Sequence, residues 1–343
     1  MTSSLRRPTA ILVDRGVDVE QAVAAHRSLP YFAQRATHDP GEQAALRRHG
    51  NPTKFQRNSG RRISGLLRTR TSHILHMRTK PVENTMTAQI HVDQADGILT
   101  MTLARPDKKN ALTNEMYGRL ADVIEHAEHD GQTRVLLLQA DGDMFTAGND
   151  VGEFAAIASG KGPSERHVHR FLHALAKSNL PVIAAVQGKA VGIGTTMLLH
   201  CDYVLLAPEA ELITPFVNLA LVPEAASSYL LPLRVGHLRA FEMFALGEPL
   251  DAQTAVAWGL ANKVCAKEQL RLDARRMAER IAAKPAGSLS ATKKLMREAQ
   301  KLIAQMDSES AMFQERLTSA EAREAFAAFA EKRKPNFAAV TQQ

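Results

Sequence analysis

The sequence predicts an α/β core followed by a largely helical carboxy-terminal region. Three observations carry this expectation. A strand hairpin opens the patterned part of the 343-residue chain, strand-like and helix-like segments then alternate, and the last stretch reads as helix after helix. Alternation of this kind is how layered α/β cores are built.

The hairpin comes first. From Ala88 the text runs through Ile90 and Val92 and then from Gly97 to Leu103, apolar residues alternating with polar ones as in half-buried strands. Ala95-Asp96-Gly97 supplies the turn. Thr113 then caps a helix whose apolar positions include Met116, Leu120, Val123 and Ile124. Val135–Leu138, Pro181–Val186 and Tyr203–Leu206 are short apolar strands, and His167–Ala176 is an amphipathic helix between the first two. Helices are expected around Leu238–Ala245, Ala252–Trp258, Glu268–Ala283, Leu289–Met306 and Ala320–Lys332. The core is therefore set at residues 86–285 and the helical region at 286–343.

Residues 1–85 differ in kind. They hold 15 Lys and Arg against 6 Asp and Glu, whereas the rest of the chain holds 28 against 30, so the formal net charge of +7 belongs to the first quarter. With no sustained periodicity, this basic extension is expected to be disordered. The hairpin begins so soon after Met86 that Met86 stands as an alternative start of translation. A basic arm can bind nucleic acid through its phosphates, but the neutral core does not call for such a partner.

No run approaches the roughly 18 apolar residues that span a bilayer, so no membrane partner is expected. The two cysteines, Cys201 and Cys265, fit a reducing compartment, and neither has a neighbour at metal-ligand spacing. No compact apolar stretch follows Arg6-Arg7, and the chain ends Thr341-Gln342-Gln343, without the common peroxisomal address. A cytoplasmic location is the expectation.

Two glycine-bearing turns stand out as carriers of chemistry. One is Phe145 to Asp150, after the strand Val135–Leu138. The other is Gly188 to Gly194, between the strand Pro181–Val186 and an apolar helix Thr195–His200. Such a turn opening a helix leaves backbone N–H groups free for an anion. The plainer reading is that the glycines only permit tight turns. Neither turn matches a dinucleotide or phosphate-loop spacing. Glu224, in Leu221-Val-Pro-Glu-Ala-Ala-Ser-Ser228, is placed at a helix start, where the dipole favours a carboxylate. His167, His169 and His173 are read as exposed polar residues of a helix, Asp202 as a structural partner at a strand start, and Tyr229 and Trp258 as packing residues.

Taken in order, these segments resemble the enoyl-CoA hydratase/isomerase (crotonase) superfamily. The carrying text is Ala104 to Leu112, Met144 to Asp150, Ile183 to Gly192, Cys201-Asp202, Ala207 to Leu212, and Ala330 to Phe337. The resemblance implies a crotonase-like ββα spiral core. It also implies a thioester carbonyl held by the backbone N–H groups of Asn149 and Ile193, the Ile193 side chain shaping the acyl pocket. Coenzyme A would be met by Ala147, Gly148, Asp150, Val151 and Lys109, with Lys108 and Lys293 as weaker candidates. Coenzyme A enters as part of an acyl-CoA substrate, so no separate cofactor or metal is expected, and a homotrimer or hexamer is implied.

Hydratases of the superfamily use two glutamates, and here those positions hold Thr196 and Phe216. The stretch from Thr214 to Leu231 instead resembles the peroxisomal-type 3,2-enoyl-CoA isomerases, whose single catalytic glutamate matches Glu224. The expected activity is a shift of a double bond from 3-enoyl-CoA to 2-enoyl-CoA. Other enolate chemistry such as hydration, or a non-catalytic acyl-CoA- or RNA-binding protein, are the alternatives.

Overall fold

The computed structural model describes residues 89–150, 152–153, 156, 161–163 and 165–340. Expectations for residues 1–85, for the Met86 start and for Val151 lie outside the described residues.

Two sheets organise the chain. The larger has six strands: β1 (Ile90–Ala95), β2 (Ile98–Leu103), β3 (Val135–Ala140), β4 (Val182–Val186), β6 (Tyr203–Leu206) and β9 (Lys263–Val264), in the order β1-β2-β3-β4-β6-β9. β1 and β2 form the expected antiparallel hairpin, and every later pairing in this sheet is parallel. The smaller sheet is β5 (Lys189–Val191), β7 (Glu211–Ile213) and β8 (Leu250–Asp251), in the order β5-β7-β8. The chain thus leaves the large sheet after β4 to add β5 to the small one, and after β6 to add β7 and β8.

The continuous apolar runs of β3 and β4 follow from burial on both faces. Val135, Leu137, Ile183 and Ala185 pack on Leu270, Ala274 and Ala278 of the helix Leu270–Ala282. Their neighbours Leu136, Leu138, Val182 and Ala184 point the other way, into the main core with Leu120 and Ile124. That core also takes the helices Asn114–Ala127 and His167–Lys177, where the rings of Tyr117 and Phe171 lie 5.6 Å apart. Thr113 caps the first of these as expected, its Oγ1 accepting from Met116 N at 3.2 Å. Asp202 is also structural, accepting from Val182 N at 2.8 Å. Among the described residues no helix is long and apolar enough to cross a membrane.

Three expectations are corrected. The helix set at Leu289–Met306 is two helices, Ala286–Met296 and Ala299–Leu317. The chain is extended at Arg297 (φ −142°, ψ 119°), whose guanidinium donates to the His200 carbonyl at 3.0 Å and to His200 Nδ1. The second glycine turn contains the strand β5, and its helix is a single turn, Ile193–Thr196, continued as a tighter 3-10 turn to His200. So short a helix has little dipole to offer. Lastly, Glu224 is not in a helix: the helix begins at Ser227, after a turn in which Ala225 (φ 63°) and Ala226 (φ 55°) are both left-handed.

Candidate active site

The first glycine turn is built by the segment before it. Asn110 is fully buried, and its Nδ2 donates to the carbonyls of Asp141 and Met144, each at 2.8 Å. Its own carbonyl accepts from Thr146 Oγ1 at 2.6 Å, and Ala147 N donates to Lys109 O at 2.9 Å. The turn then reaches the second one through strand-like pairing: Thr146 N donates to Lys189 O and Val191 N to Thr146 O, both at 3.1 Å. The approach is close enough to require glycine at two points. A Cβ on Gly148, at φ +89°, would stand 2.8 Å from Val191 O, and one on Gly194 would stand 2.5 Å from Thr146 Cγ2.

This pairing exposes two amides to one cavity. Around Asn149, Leu112 N donates to Gly148 O and Asp150 N donates to Leu112 O, so the flanking groups are used and the Asn149 N–H faces away from the pairing. Ile193 opens its helical turn, where an N–H has no partner within the helix. Among the described residues neither amide has an acceptor, and Asn149, Ile193, Ala147 and Gly148 line the same cavity. Phe216 and Phe326 form part of its apolar wall.

A second cavity adjoins it through Asn149 and Phe313, which line both. Glu224, Tyr117 and Leu172 are in its wall, together with Asp150 and Glu153. The three carboxyls differ sharply in their partners. Asp150 is tied to Arg105 at 2.7 Å, which helps hold it below the usual carboxylate range against its own desolvation. Glu153 accepts from Asn114 N at 2.7 Å. Glu224 keeps one long contact, from Thr196 Oγ1 at 3.4 Å. Burial, reinforced by the charge of Glu309 and opposed by Thr196, pushes the Glu224 carboxyl up to about 8.

Tyr117 was not singled out in the sequence. Its hydroxyl donates to Asn149 Oδ1 at 2.5 Å, and burial, then Glu224 and Glu153, hold its pKa well above the usual value, so it stays a donor. Nothing in the text distinguishes it from its apolar neighbours on the helix face.

The other candidates divide. Lys109 pairs with Asp143 at 2.9 Å on the surface, and Asp150 lines the Glu224 cavity rather than the one with Ala147 and Gly148. Lys293 is buried, donating to Asp202 at 2.6 Å and to Leu180 O at 2.7 Å, so it is a core pair and not a surface phosphate contact. The three histidines are partly buried rather than exposed; His169 lines the Glu224 cavity with its Nδ1 3.3 Å from Ser310 Oγ. Tyr229 and Trp258 pack against the core as expected.

A family model described as enoyl-CoA hydratase/isomerase matches residues 93–340. The chain belongs to this family. The family accounts for the crotonase-like fold of strands and helices described above, with acyl-CoA thioesters as the class of substrate. A 1,2-epoxyphenylacetyl-CoA isomerase of Escherichia coli (strain K12) is 34% identical over 254 residues, covering 72% of this chain and 96% of that protein. Enoyl-CoA delta isomerase 2 of Rattus norvegicus is 32% identical over 252 residues, covering 72% of this chain and 64% of the rat protein. Among solved structures, an enoyl-CoA hydratase/isomerase from Pseudoalteromonas atlantica T6c is 41% identical, with a TM-score of 0.69 over 73% of this chain and 99% of that one. These crotonase-type relatives carry several reaction names, so the particular reaction must be argued from the site.

Proposed function

We propose that the protein is an enoyl-CoA isomerase that moves a double bond from the 3,4 to the 2,3 position, with Glu224 as its single acid and base. The observation that carries this reading is the contrast among the cavity carboxyls. Asp150 and Glu153 are engaged by Arg105 and by a backbone amide, while Glu224 has only the long Thr196 contact and a raised proton affinity.

The thioester carbonyl oxygen sits where the two cavities meet and accepts from the N–H groups of Asn149 and Ile193. Glu224, as carboxylate, takes a C2 proton, and the electrons pass into a dienolate whose oxygen the two amides stabilise. The resulting carboxylic acid returns the proton at C4, leaving the C2–C3 double bond. A carboxyl near 8 suits both halves, since a base poised near the working pH is re-formed easily after each transfer. Thr196 and Phe216, at the positions of the hydratase glutamates, leave no second carboxyl to activate water there. The chain is further proposed to assemble as a trimer or hexamer in the cytoplasm; exposed Leu295, Met296 and Phe329 are apolar surface that such assembly would cover.

The test is a panel of 3-enoyl-CoA and 2-enoyl-CoA thioesters assayed for isomerisation and for hydration. Isomerisation of the 3-enoyl substrates, with little water addition to the 2-enoyl ones, is expected. Efficient hydration without isomerisation would overturn the reading.

A further inference from the structure

Glu224 is held by main-chain geometry rather than by its own carboxyl contacts. The two residues after it are alanines in the left-handed region, and neither turn residue is glycine. Such backbone persists only where its surroundings impose it. Two buried side chains from different parts of the chain do so. Glu309, on the helix Ala299–Leu317, accepts from Ala226 N at 2.6 Å through Oε2 and from Ser228 N at 3.0 Å through Oε1. Ser228 Oγ also donates to Glu309 Oε1, and accepts in turn from Gln305 Nε2 at 2.9 Å, one turn earlier on the same helix.

On the other side, His200 lies 2.8 Å from the Ala225 carbonyl through Nε2. Its Nδ1 receives the Arg297 guanidinium, so Nε2 carries the ring proton and donates to Ala225. His200 is fully buried and its pKa is pushed down to about 3, first by burial and then by Arg297, which keeps the ring neutral. The turn is therefore gripped at a carbonyl by one residue and at two amides by the other.

We propose that Glu309 and His200 are positioning residues that aim the Glu224 carboxyl at the reacting carbons. This rests on the reading of Glu224 as the base. Neither residue reaches the cavity that Glu224 lines, so each acts through the turn. Glu309 adds an electrostatic effect: burial raises its own pKa, the hydrogen bonds from Ser228 and Ala226 oppose that, and in its ionised form it places a negative charge beside Glu224. The other charged or titratable groups lining the cavity with Glu224 are Tyr117 on the helix Asn114–Ala127, Asp150, Glu153, Arg166, and His169 on the helix His167–Lys177.

The experiment compares the pH profile of kcat/KM for 3-enoyl-CoA isomerisation in the wild-type chain, E309Q and H200Q. In E309Q the high-pH plateau of kcat falls about tenfold to a hundredfold, as expected of a misaimed base, while KM is unchanged. Its limb moves to lower pH, because the neighbouring negative charge is gone. H200Q exchanges one neutral group for another, so its plateau falls and its limb stays. A wild-type plateau and limb in E309Q would overturn the proposal. So would a lower plateau with an unmoved limb, which marks a merely structural loss. If E309Q does not fold, an unaltered plateau in H200Q has the same force. Titration of the Glu224 carboxyl by carbon NMR, assigned with E224Q, separates this proposal from the functional reading. A wild-type chain inactive on every 3-enoyl-CoA defeats the isomerase reading. The titration then still decides, a lower Glu224 pKa in E309Q supporting the Glu309 contact and an unchanged one overturning it.

Discussion

The Tyr117 hydroxyl donates to Asn149 Oδ1 at 2.5 Å, fixing the side chain of a residue that lines both cavities. In Y117F that oxygen loses its donor in a partly buried place beside the cavities, at a cost of about 0.5–1.5 kcal/mol. Denaturant unfolding should show a loss in this range. Activity should fall by about tenfold, because the Asn149 turn is loosened but its N–H is still present.

Replacing Glu224, the proposed base, is expected to be a harder blow. E224Q keeps the shape of the side chain and removes its capacity to move a proton, so kcat should fall by about 10²–10⁴ with KM little changed. Retention of turnover would remove Glu224 as the base.

The raised Glu224 pKa has two consequences of opposite sign. Activity should climb as pH rises through about 8, where the carboxylate forms. Stability should fall as pH rises from about 4.5 to about 8 and level off above that. Between these values the folded chain retains a proton that the unfolded chain, with a carboxyl near 4.5, has released, so the stabilisation is full below about 4.5, declines as pH rises and is gone above about 8. Thermal unfolding from pH 5 to 9 should show this slope, and E224Q should flatten it.

Gly148 tests the convergence of the two turns. In G148A the added Cβ meets Val191 O at 2.8 Å and the backbone is forced to hold φ +89° with a side chain. The turns must part, and a loss of about 2–4 kcal/mol is expected from overpacking and strain together. Activity of the fraction that remains folded should drop further than stability, since the separation of two amides is what changes.

Lys293 separates a core role from phosphate binding. K293M leaves Asp202 without its cation, but the Asp202 side chain is 35% exposed, so water offsets part of the loss and about 1–3 kcal/mol is expected rather than the larger figure for a sealed pair. The KM for an acyl-CoA should not change. A rise in KM without loss of stability would restore Lys293 as a contact for the coenzyme A phosphates.

The strands and the main helices were legible because burial leaves a pattern: the helix Asn114–Ala127 shows a helical period, and β3 a continuous apolar run buried on both faces. The two amides are reached only through the superfamily resemblance; from the glycines alone the plainer reading is a tight turn, and the close approach that requires Gly148 and Gly194 is visible only in the folded chain. What escaped is whatever depends on contacts between distant residues. Glu309 reads as one more acidic residue of an amphipathic helix, and only the folded chain brings it to amides more than 80 residues earlier. The break at Arg297 has no proline or glycine to announce it, and the guanidinium there reaches His200, far away in sequence. Glu224 could be found, but its setting could not: two left-handed alanines violate local preference and are sustained from outside.

The two unpaired amides of Asn149 and Ile193 belong to the main chain and are aligned by main-chain pairing. Apart from proline, no coded substitution at position 149 or 193 deletes either hydrogen. The proposed proton-moving group, Glu224, is by contrast one side chain in a loop. Gripping a carbonyl and choosing a reaction are therefore separately mutable in this fold, and a lineage could relocate its carboxyl while inheriting the cradle intact.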